Sequence, residues 1–404
     1  MKTVAVIAEY NPLHNGHQYH LQSIRRDFGE DTAIVVLMSG NYTQRGDVAI
    51  VDKLTRATCA VLGGADLVLE LPFPFSMASA ELFCRAGVSI AHAIGIVDVL
   101  SFGSECGDLD ALTAVASRID SSAFRHAFSE IKKKHPAIGH AKAMEEAYIA
   151  AFGTPPASSL SSPNDLLAIE YLRALAAHGG CIAPHTVRRN GASYHEATVG
   201  DTPYPSATAL RSVMQQGGDL SGFVPSDVAT LLSDAILRGD APCDGEKLFP
   251  AILSSFMLNE PTASKAPAIH DAGGGLYDRL RRAGGEATSL SSWIAQSETK
   301  KYTRARLRRA LWYAYFGVTS SDVKTTPGYT QLLGADALGR ALLKRMRKTA
   351  SIPILTKPSD TAALMGDALR QKRLSDQADR MFALTRPVPM PPASALRFTP
   401  YLKK

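Results

Sequence analysis

No stretch of the 404 residues comes near the roughly 20 consecutive apolar positions that a membrane span requires. No charged leader with a small-residue cleavage site precedes the first apolar run, so the expected setting is the cytoplasm. Cysteine is scarce: Cys59, Cys84, Cys106, Cys181 and Cys243 are odd in number, scattered and without CxxC spacing. That excludes a disulfide framework and leaves reduced thiols. Internal repeats and long linkers are also missing, which leaves an ordinary globular chain. With 45% hydrophobic and 20% charged residues, it can bury a large core, and its length favours two domains over one.

What the chain does have is concentrated near its start, in Val4-Ala5-Val6-Ile7-Ala8-Glu9-Tyr10-Asn11-Pro12-Leu13-His14-Asn15-Gly16-His17. Val4 to Ala8 reads as a strand buried on both faces, as parallel strands are, and Asn11-Pro12 ends it. From His17 onward Leu21, Ile24 and Phe28 recur at helical spacing, which places Gly16 and His17 in the first turn of a helix. Such a turn offers unpaired N–H groups and the positive end of the helix dipole to an anion. Gly16 admits a phosphate close to the backbone, and His14 and His17 can donate to its oxygens. HxGH on a strand-to-helix turn therefore points to nucleotidyl transfer at an α-phosphate, with pyrophosphate leaving. A metal site built from His14, His17 and His20 is the competing reading. It lacks a cysteine or carboxylate cluster at ligand spacing, so no resident metal is expected.

Strand-like runs recur at 33–38, 67–71 and 97–102, separated by helical patterns at 53–62 and 79–93. This alternation implies a parallel sheet with right-handed crossovers, whose ligands sit beyond the C-terminal strand ends. The polar loops at 14–17, 39–47 and 101–105 fall there and should face one cleft. Helices are expected at 109–119, 123–134 and 141–151, and a strand near 181–188. Beyond about residue 225 the pattern reads as helix throughout, with a proline-rich extended tail at 387–392. The net charge of +6 is unevenly spread. Lys300, Lys301, Arg304, Arg306, Arg308 and Arg309 form one basic segment and Arg340, Lys344, Arg345, Arg347 and Lys348 another. With Tyr302, Trp312 and Tyr313 around the first, they favour a polyanionic partner.

A second motif is Ser206-Ala207-Thr208-Ala209-Leu210-Arg211, in which a Ser N-cap, a Thr and an Arg can converge on the β- and γ-phosphates. Arg45 and Lys53 flank the expected cleft opening, where either could neutralise pyrophosphate or position a carboxylate substrate. Arg56 reads as a surface ion-pair partner. Glu105 and Asp108 read as helix caps, with a magnesium site as the rarer use.

The strings AEYNPLHNGHQYHL, SGNYTQRGDVAIVDKLTRA, LSFGSE, SSPNDLLAIEYLRAL, RNGASYH, SATALR, KKYTRARLRRAL and LGRALLKRMRK span nearly the whole chain. In that order they resemble the bacterial tRNA(Met) cytidine acetate ligase family, within the HxGH nucleotidyltransferase superfamily. The resemblance implies an α/β fold. A Rossmann-like parallel-sheet nucleotidyltransferase domain at 1–225 would precede a mainly helical, basic tRNA-binding domain at 226–404. It implies ATP and Mg²⁺, formation of acetyl-adenylate from acetate, and acetyl transfer to N4 of the wobble cytidine of elongator tRNA(Met), with no membrane and no obligate protein partner. The implied ATP site includes Ile7, Ala8, Glu9, Tyr10, Asn11, Gly16, His17, His20, Gly103, Asn164, Arg189 and Ser206, with Arg188 the alternative to Arg189. His14, His17, Arg45, Lys53, Thr208 and Arg211 are the expected catalytic groups. The chain departs from the family pattern at Asp165, where a second Asn is usual, and at Ala168, where Gly is usual. A small-molecule nucleotidyltransferase shares both motifs but has no use for a long basic C-terminal half. A non-catalytic RNA-binding protein has no use for the retained His14, Gly16, His17, Thr208 and Arg211.

Overall fold

A computed structural model of the chain describes residues 1–403 except 137, 159, 161, 190–204 and 259–267. The segment Asn190 to His195 of the RNGASYH string lies outside the described residues. One sheet contains β1 (Thr3–Ala8), β2 (Ala33–Ser39), β3 (Leu67–Leu71), β4 (Val99–Ser104), β5 (Ala183–Arg188), β6 (Thr330–Ala335), β7 (Ile354–Leu355) and β8 (Tyr401–Leu402). Its order is β5-β4-β1-β2-β3-β6-β7, with β8 beside β6. Strands β1 to β5 pair in parallel, while β6 runs antiparallel to β3.

The helices of the first half are α1 (Asn15–Phe28), α2 (Lys53–Leu62), α3 (Ala80–Ala93), α4 (Leu109–Ile119), α5 (Ser122–Lys134), α6 (His140–Phe152), α7 (Pro163–Ala177) and α8 (Ala207–Gln215). They are followed by α9 (Ser226–Leu237), α10 (Phe249–Leu258), α11 (Leu276–Gly284), α12 (Leu290–Ser297), α13 (Arg304–Phe316), α14 (Ser320–Lys324), α15 (Ala337–Thr349) and α16 (Gly366–Phe382).

Alternation along β1 separates two cores, because successive side chains leave opposite faces of a sheet. Ala5 and Ile7 pack with α3 and α7, through Phe83, Ala86, Ile90, Ala168 and Tyr171. Val4 and Val6 pack instead with Leu21 and Ile24 of α1 and Ala57 and Val61 of α2. Burying one such Leu, Ile or Phe contributes roughly 1.5–3 kcal/mol, so the continuous apolar runs specify strands covered on both sides.

The C-terminal half differs from its expected all-helical form. Thr330–Ala335 is a fully buried strand that extends the sheet beside β3. An uncovered β3 would expose a row of unpaired N–H and C=O groups, and β6 satisfies them. Helices α10 to α13 and α16 enclose a third core that also takes in Tyr42, Phe73 and Met77. The stretch after residue 225 is therefore packed onto the first half through both the sheet and this core. The expected extended tail has neither helix nor strand at 387–391 and is flanked by short 3₁₀ turns at Ala383–Thr385 and Pro392–Leu396.

Candidate active site

From β3 the chain crosses to β4 on the far side of β1, so the winding reverses between β1 and β4. Ligands of such sheets settle in the crevice at that reversal. A cavity of about 330 Å³ lies there, and all three polar loops reach it. Ile7, Ala8, Glu9, Tyr10, Asn11, His14, Gly16, His17, His20, Arg45, Gly103, Asn164, Arg189, Ser206, Thr208 and Arg211 line it; Lys53 does not.

The two motif histidines are held by the backbone they cap. His14 is the N-cap of α1, and its Nδ1 accepts the Gly16 N–H at 3.1 Å. The Nδ1 of His17 accepts the His14 N–H at 3.2 Å, and the two rings stack 3.7 Å apart. A backbone N–H can only donate, so both Nδ1 atoms carry lone pairs and both ring protons sit on Nε2. Burial depresses both pKa values, that of His14 to about 3, helped by Arg189 and Arg211 for His14 and by His14 and Arg189 for His17. At neutral pH the pair is uncharged and offers two fixed N–H donors. Tyr10, which sets the turn after β1, has φ 46°, in the left-handed region that L-residues visit at a cost. Its ring packs edge-on against His17 at 4.8 Å.

The second motif closes onto the first. Ser206 caps α8 by accepting from the Ala209 N–H at 3.1 Å. Arg211 donates to the Asn11 carbonyl at 2.9 Å and to the Thr208 hydroxyl at 3.0 Å. One guanidinium thus ties the end of β1 to α8, with Thr208 and Arg211 facing the histidines across the cavity. A second cavity, of about 400 Å³, adjoins this wall at Asp47, Thr208 and Arg211 and continues toward Arg308 and Trp312.

At the β4–β5 end a polar chain is assembled. Arg189 donates to Asn164 Oδ1 at 3.0 Å, and Asn164 Nδ2 donates to Glu105 Oε1 at 2.6 Å. Arg188 also lines the cavity, but Arg189 is the one bound to Asn164. A side chain at Gly103 would come within 3.2 Å of Arg189 Cγ, so glycine makes room for that arginine. Asp165 is outside the cavity lining and accepts the N–H groups of Glu105 and Cys106 at 2.8 and 3.2 Å. The departure from Asn therefore falls on a residue that shapes the loop. His20 Nε2 lies 2.8 Å from Ser101 Oγ, which is 3.0 Å from His185 Nδ1. Burial lowers the pKa of His20 to about 4, with His185 and Arg189 adding to it.

The sequence profile of the HIGH nucleotidyl transferase family matches residues 1–391. The tRNA(Met) cytidine acetate ligase of Thermosipho africanus (strain TCF52B) is 32% identical over 376 residues, 92% of this chain and 88% of that protein. That of Alkaliphilus metalliredigens (strain QYMF) is 34% identical over 378 residues, 88% of each. The chain belongs to the tRNA(Met) cytidine acetate ligase family. Among solved structures, Thermotoga maritima TmcAL bound with alpha-thio ATP superposes with a TM-score of 0.87 at 30% identity, covering 96% of this chain and 95% of that one. The apo form of the same protein gives 0.91 at 28% identity, over 100% and 99%.

In this family member several expected placements change. Lys53, expected at the cleft mouth, is 5% exposed. Its ammonium lies 2.8 Å from Glu70 and 2.6 Å from Asp379. Burial pulls its pKa down, but the two carboxylates outweigh that and hold it above the ordinary value. Arg56, read as a surface residue, is fully buried and donates to the carbonyls of Glu9, Ser39, Gly40 and Val51. It clamps the loops that follow β1 and β2. Glu105 accepts from the N–H groups of Asn164 and Asp165 and Asp108 caps α4; among the described residues no group of three or more possible ligands could hold a metal. Tyr302, Trp312 and Tyr313 are buried, so they cannot stack on an RNA base.

The two basic segments also part company. In α13, Arg306 and Arg309 pair with Asp271 and Arg308 with Asp47. In α15, Lys344, Arg345, Arg347 and Lys348 are exposed, and among the described residues none has a carboxylate partner. Sequence reasoning also missed Ala80, Phe83, Leu167 and Tyr171, which line the cavity but read only as helix core. The signal for Ala80, Phe83 and Leu167 was their position in the first turns of helices that follow or face the strand ends; Tyr171, in the middle of α7, carried none.

Proposed function

We propose that this chain activates acetate with ATP and transfers the acetyl group to N4 of the wobble cytidine of elongator tRNA(Met), a cytoplasmic reaction. The observation that carries this reading is the convergence of HxGH and Ser206–Arg211 on one cavity at the β1–β4 reversal. A carboxylate oxygen of acetate attacks the α-phosphorus and the bond to pyrophosphate breaks. Acetate is ionised at neutral pH and needs no base, so catalysis is alignment and charge stabilisation. His14 and His17 donate Nε2–H to the α-phosphate, and Thr208 and Arg211 hold the departing pyrophosphate. Asn164 and Arg189 bind the nucleoside end, and Arg45 faces the acid. N4 then attacks the acetyl carbonyl, AMP leaves, and N4 loses one proton.

Of the cavity's carboxylates, Asp47 is paired with Arg308 and Glu9 accepts the Gln44 N–H at 2.7 Å. Among the described residues no group of three or more possible ligands could hold a metal, and magnesium enters as the counter-ion of ATP. The exposed face of α15 supplies phosphate contacts for the tRNA, which position the RNA without reading its sequence. A small acceptor would leave those four charges without a role.

The test is incubation of unmodified tRNA with the protein, ATP, Mg²⁺ and isotopically labelled acetate, followed by nucleoside mass analysis. Labelled N4-acetylcytidine is expected with the wild type and not with His17→Ala. Acetate-driven pyrophosphate exchange without labelled RNA would keep activation and remove the acceptor.

A further inference from the structure

A triphosphate accounts for the polar half of the cleft and leaves its other half without an occupant. Ile7, Ala80, Phe83, Leu167 and Tyr171 all line the same cavity. They lie on the opposite side of β1 from the motif histidines, because Ile7 packs with the α3–α7 core whereas Val6, Leu13 and Leu21 pack with the α1 core. Ala80 and Phe83 come from the first turn of α3, and Leu167 and Tyr171 from α7. Asn164 and Arg189, to which the proposed function assigns the nucleoside, are joined to each other by a hydrogen bond and line the same cavity.

Displacement at phosphorus decides what the apolar half holds. The attacking and leaving oxygens lie in line on opposite sides of the phosphorus. The leaving side is fixed by Thr208 and Arg211, beyond which the second cavity continues. The acid must therefore approach from the far side of β1, with its carboxylate toward the phosphorus and its hydrocarbon end toward Phe83 and Leu167. Arg45 lines the same cavity and, with Arg211, offsets part of the burial that raises the Glu9 carboxyl's pKa. We infer that Ile7, Ala80, Phe83, Leu167 and Tyr171 form the acyl subsite, and that Phe83 and Leu167 set the chain length of the carboxylic acid that is activated. This inference rests on the proposed adenylation.

The test is ATP–pyrophosphate exchange by the full-length chain driven by acetate, propionate or butyrate. Phe83→Leu and Leu167→Ala should raise the propionate-to-acetate ratio of kcat/KM by about tenfold or more, the size of effect a methylene has in a shaped apolar pocket. The KM for ATP should stay within about twofold. Ala80→Val, which fills the pocket, should raise the KM for acetate and leave that for ATP in place. Because truncation at buried Phe83 can destabilise α3, the Ala80 variant carries the test independently of folding losses. An unchanged acid ratio in all three variants with a raised KM for ATP would assign these residues to the adenine and overturn the inference. A wild type that exchanges pyrophosphate with no carboxylic acid would instead overturn the adenylation reading itself.

Discussion

Two parallel strands in succession, β1 and β2, each lead into a helix whose first turns carry two basic side chains three residues apart. His14 and His17 stand at the start of α1, Lys53 and Arg56 at the start of α2. Read as sequence, the two pairs look equivalent. In the fold they are opposites. The α1 pair faces the cavity at the β1–β4 reversal, with Nδ1 atoms occupied by backbone and Nε2 protons left for a ligand. The α2 pair is buried, and its hydrogen bonds go to Glu70, Asp379 and four backbone carbonyls. The difference shows that a basic side chain after a strand end faces the cavity or is sealed into an ion pair according to what surrounds it once β3 and α16 are in place.

Breaking the buried pair should have the largest effect. Lys53→Met leaves Glu70 and Asp379 facing each other without a cation, and stability should fall by about 3–5 kcal/mol. The urea midpoint measures it, and adding Glu70→Gln and Asp379→Asn should restore most of the loss. Full stability with lost acetate-driven exchange would mean that Lys53 belongs with the α1 pair after all.

His17→Ala should do the reverse. Pyrophosphate exchange should drop by about 10²–10³, the usual cost of one fixed donor to developing charge. The melting temperature should reflect only a capping bond, about 1 kcal/mol. An inactive but also unfolded variant would erase the contrast.

Acidity sharpens the comparison at smaller scale. Burial holds His14 at about 3 and His20 at about 4 in the folded chain, against roughly 6.5 when unfolded. The unfolded chain therefore binds protons that the folded one refuses. This contribution to stability is complete above about pH 6.5 and is lost as pH falls toward 4, at roughly 1.4 kcal/mol per pH unit for each histidine. Urea midpoints at pH 7, 6 and 5 should fall in that order, while pyrophosphate exchange should show no histidine titration near 6.5.

The smallest effect per residue is expected at the exposed cations of α15. Replacing Lys344, Arg345, Arg347 and Lys348 with glutamine should weaken tRNA binding and flatten its salt dependence, by a slope of about 0.9 for each phosphate left without its cation. Filter binding across a salt series measures this, with pyrophosphate exchange followed in parallel. The same change at Arg306 and Arg309 of α13 should instead lower stability, because those charges hold Asp271.

Much of the first half was legible because its signals are local. The apolar runs marked β1 to β4, and the expected helices at 53–62 and 109–119 coincide with α2 and α4. Strand β6 was not legible, since Thr330–Ala335 becomes a strand by completing the edge of β3, a condition set by residues more than 250 positions earlier. The aromatic side chains Tyr302, Trp312 and Tyr313 misled for the same reason: composition near a basic run does not reveal which side of a helix is covered.

The sequence by itself determined the strand-turn-helix at HxGH, the Ser206 cap and the family. Each depends on groups within a few residues of one another, where backbone sterics and capping bonds act without help. Only the tertiary structure decided that Arg211 reaches Asn11, that Lys53 is sealed between Glu70 and Asp379, and that Phe83 and Leu167 line one cavity with the histidines. Those outcomes depend on which distant partners share a low-dielectric space, because burial makes the pairing of a charge or the facing of an apolar side chain worth several kcal/mol.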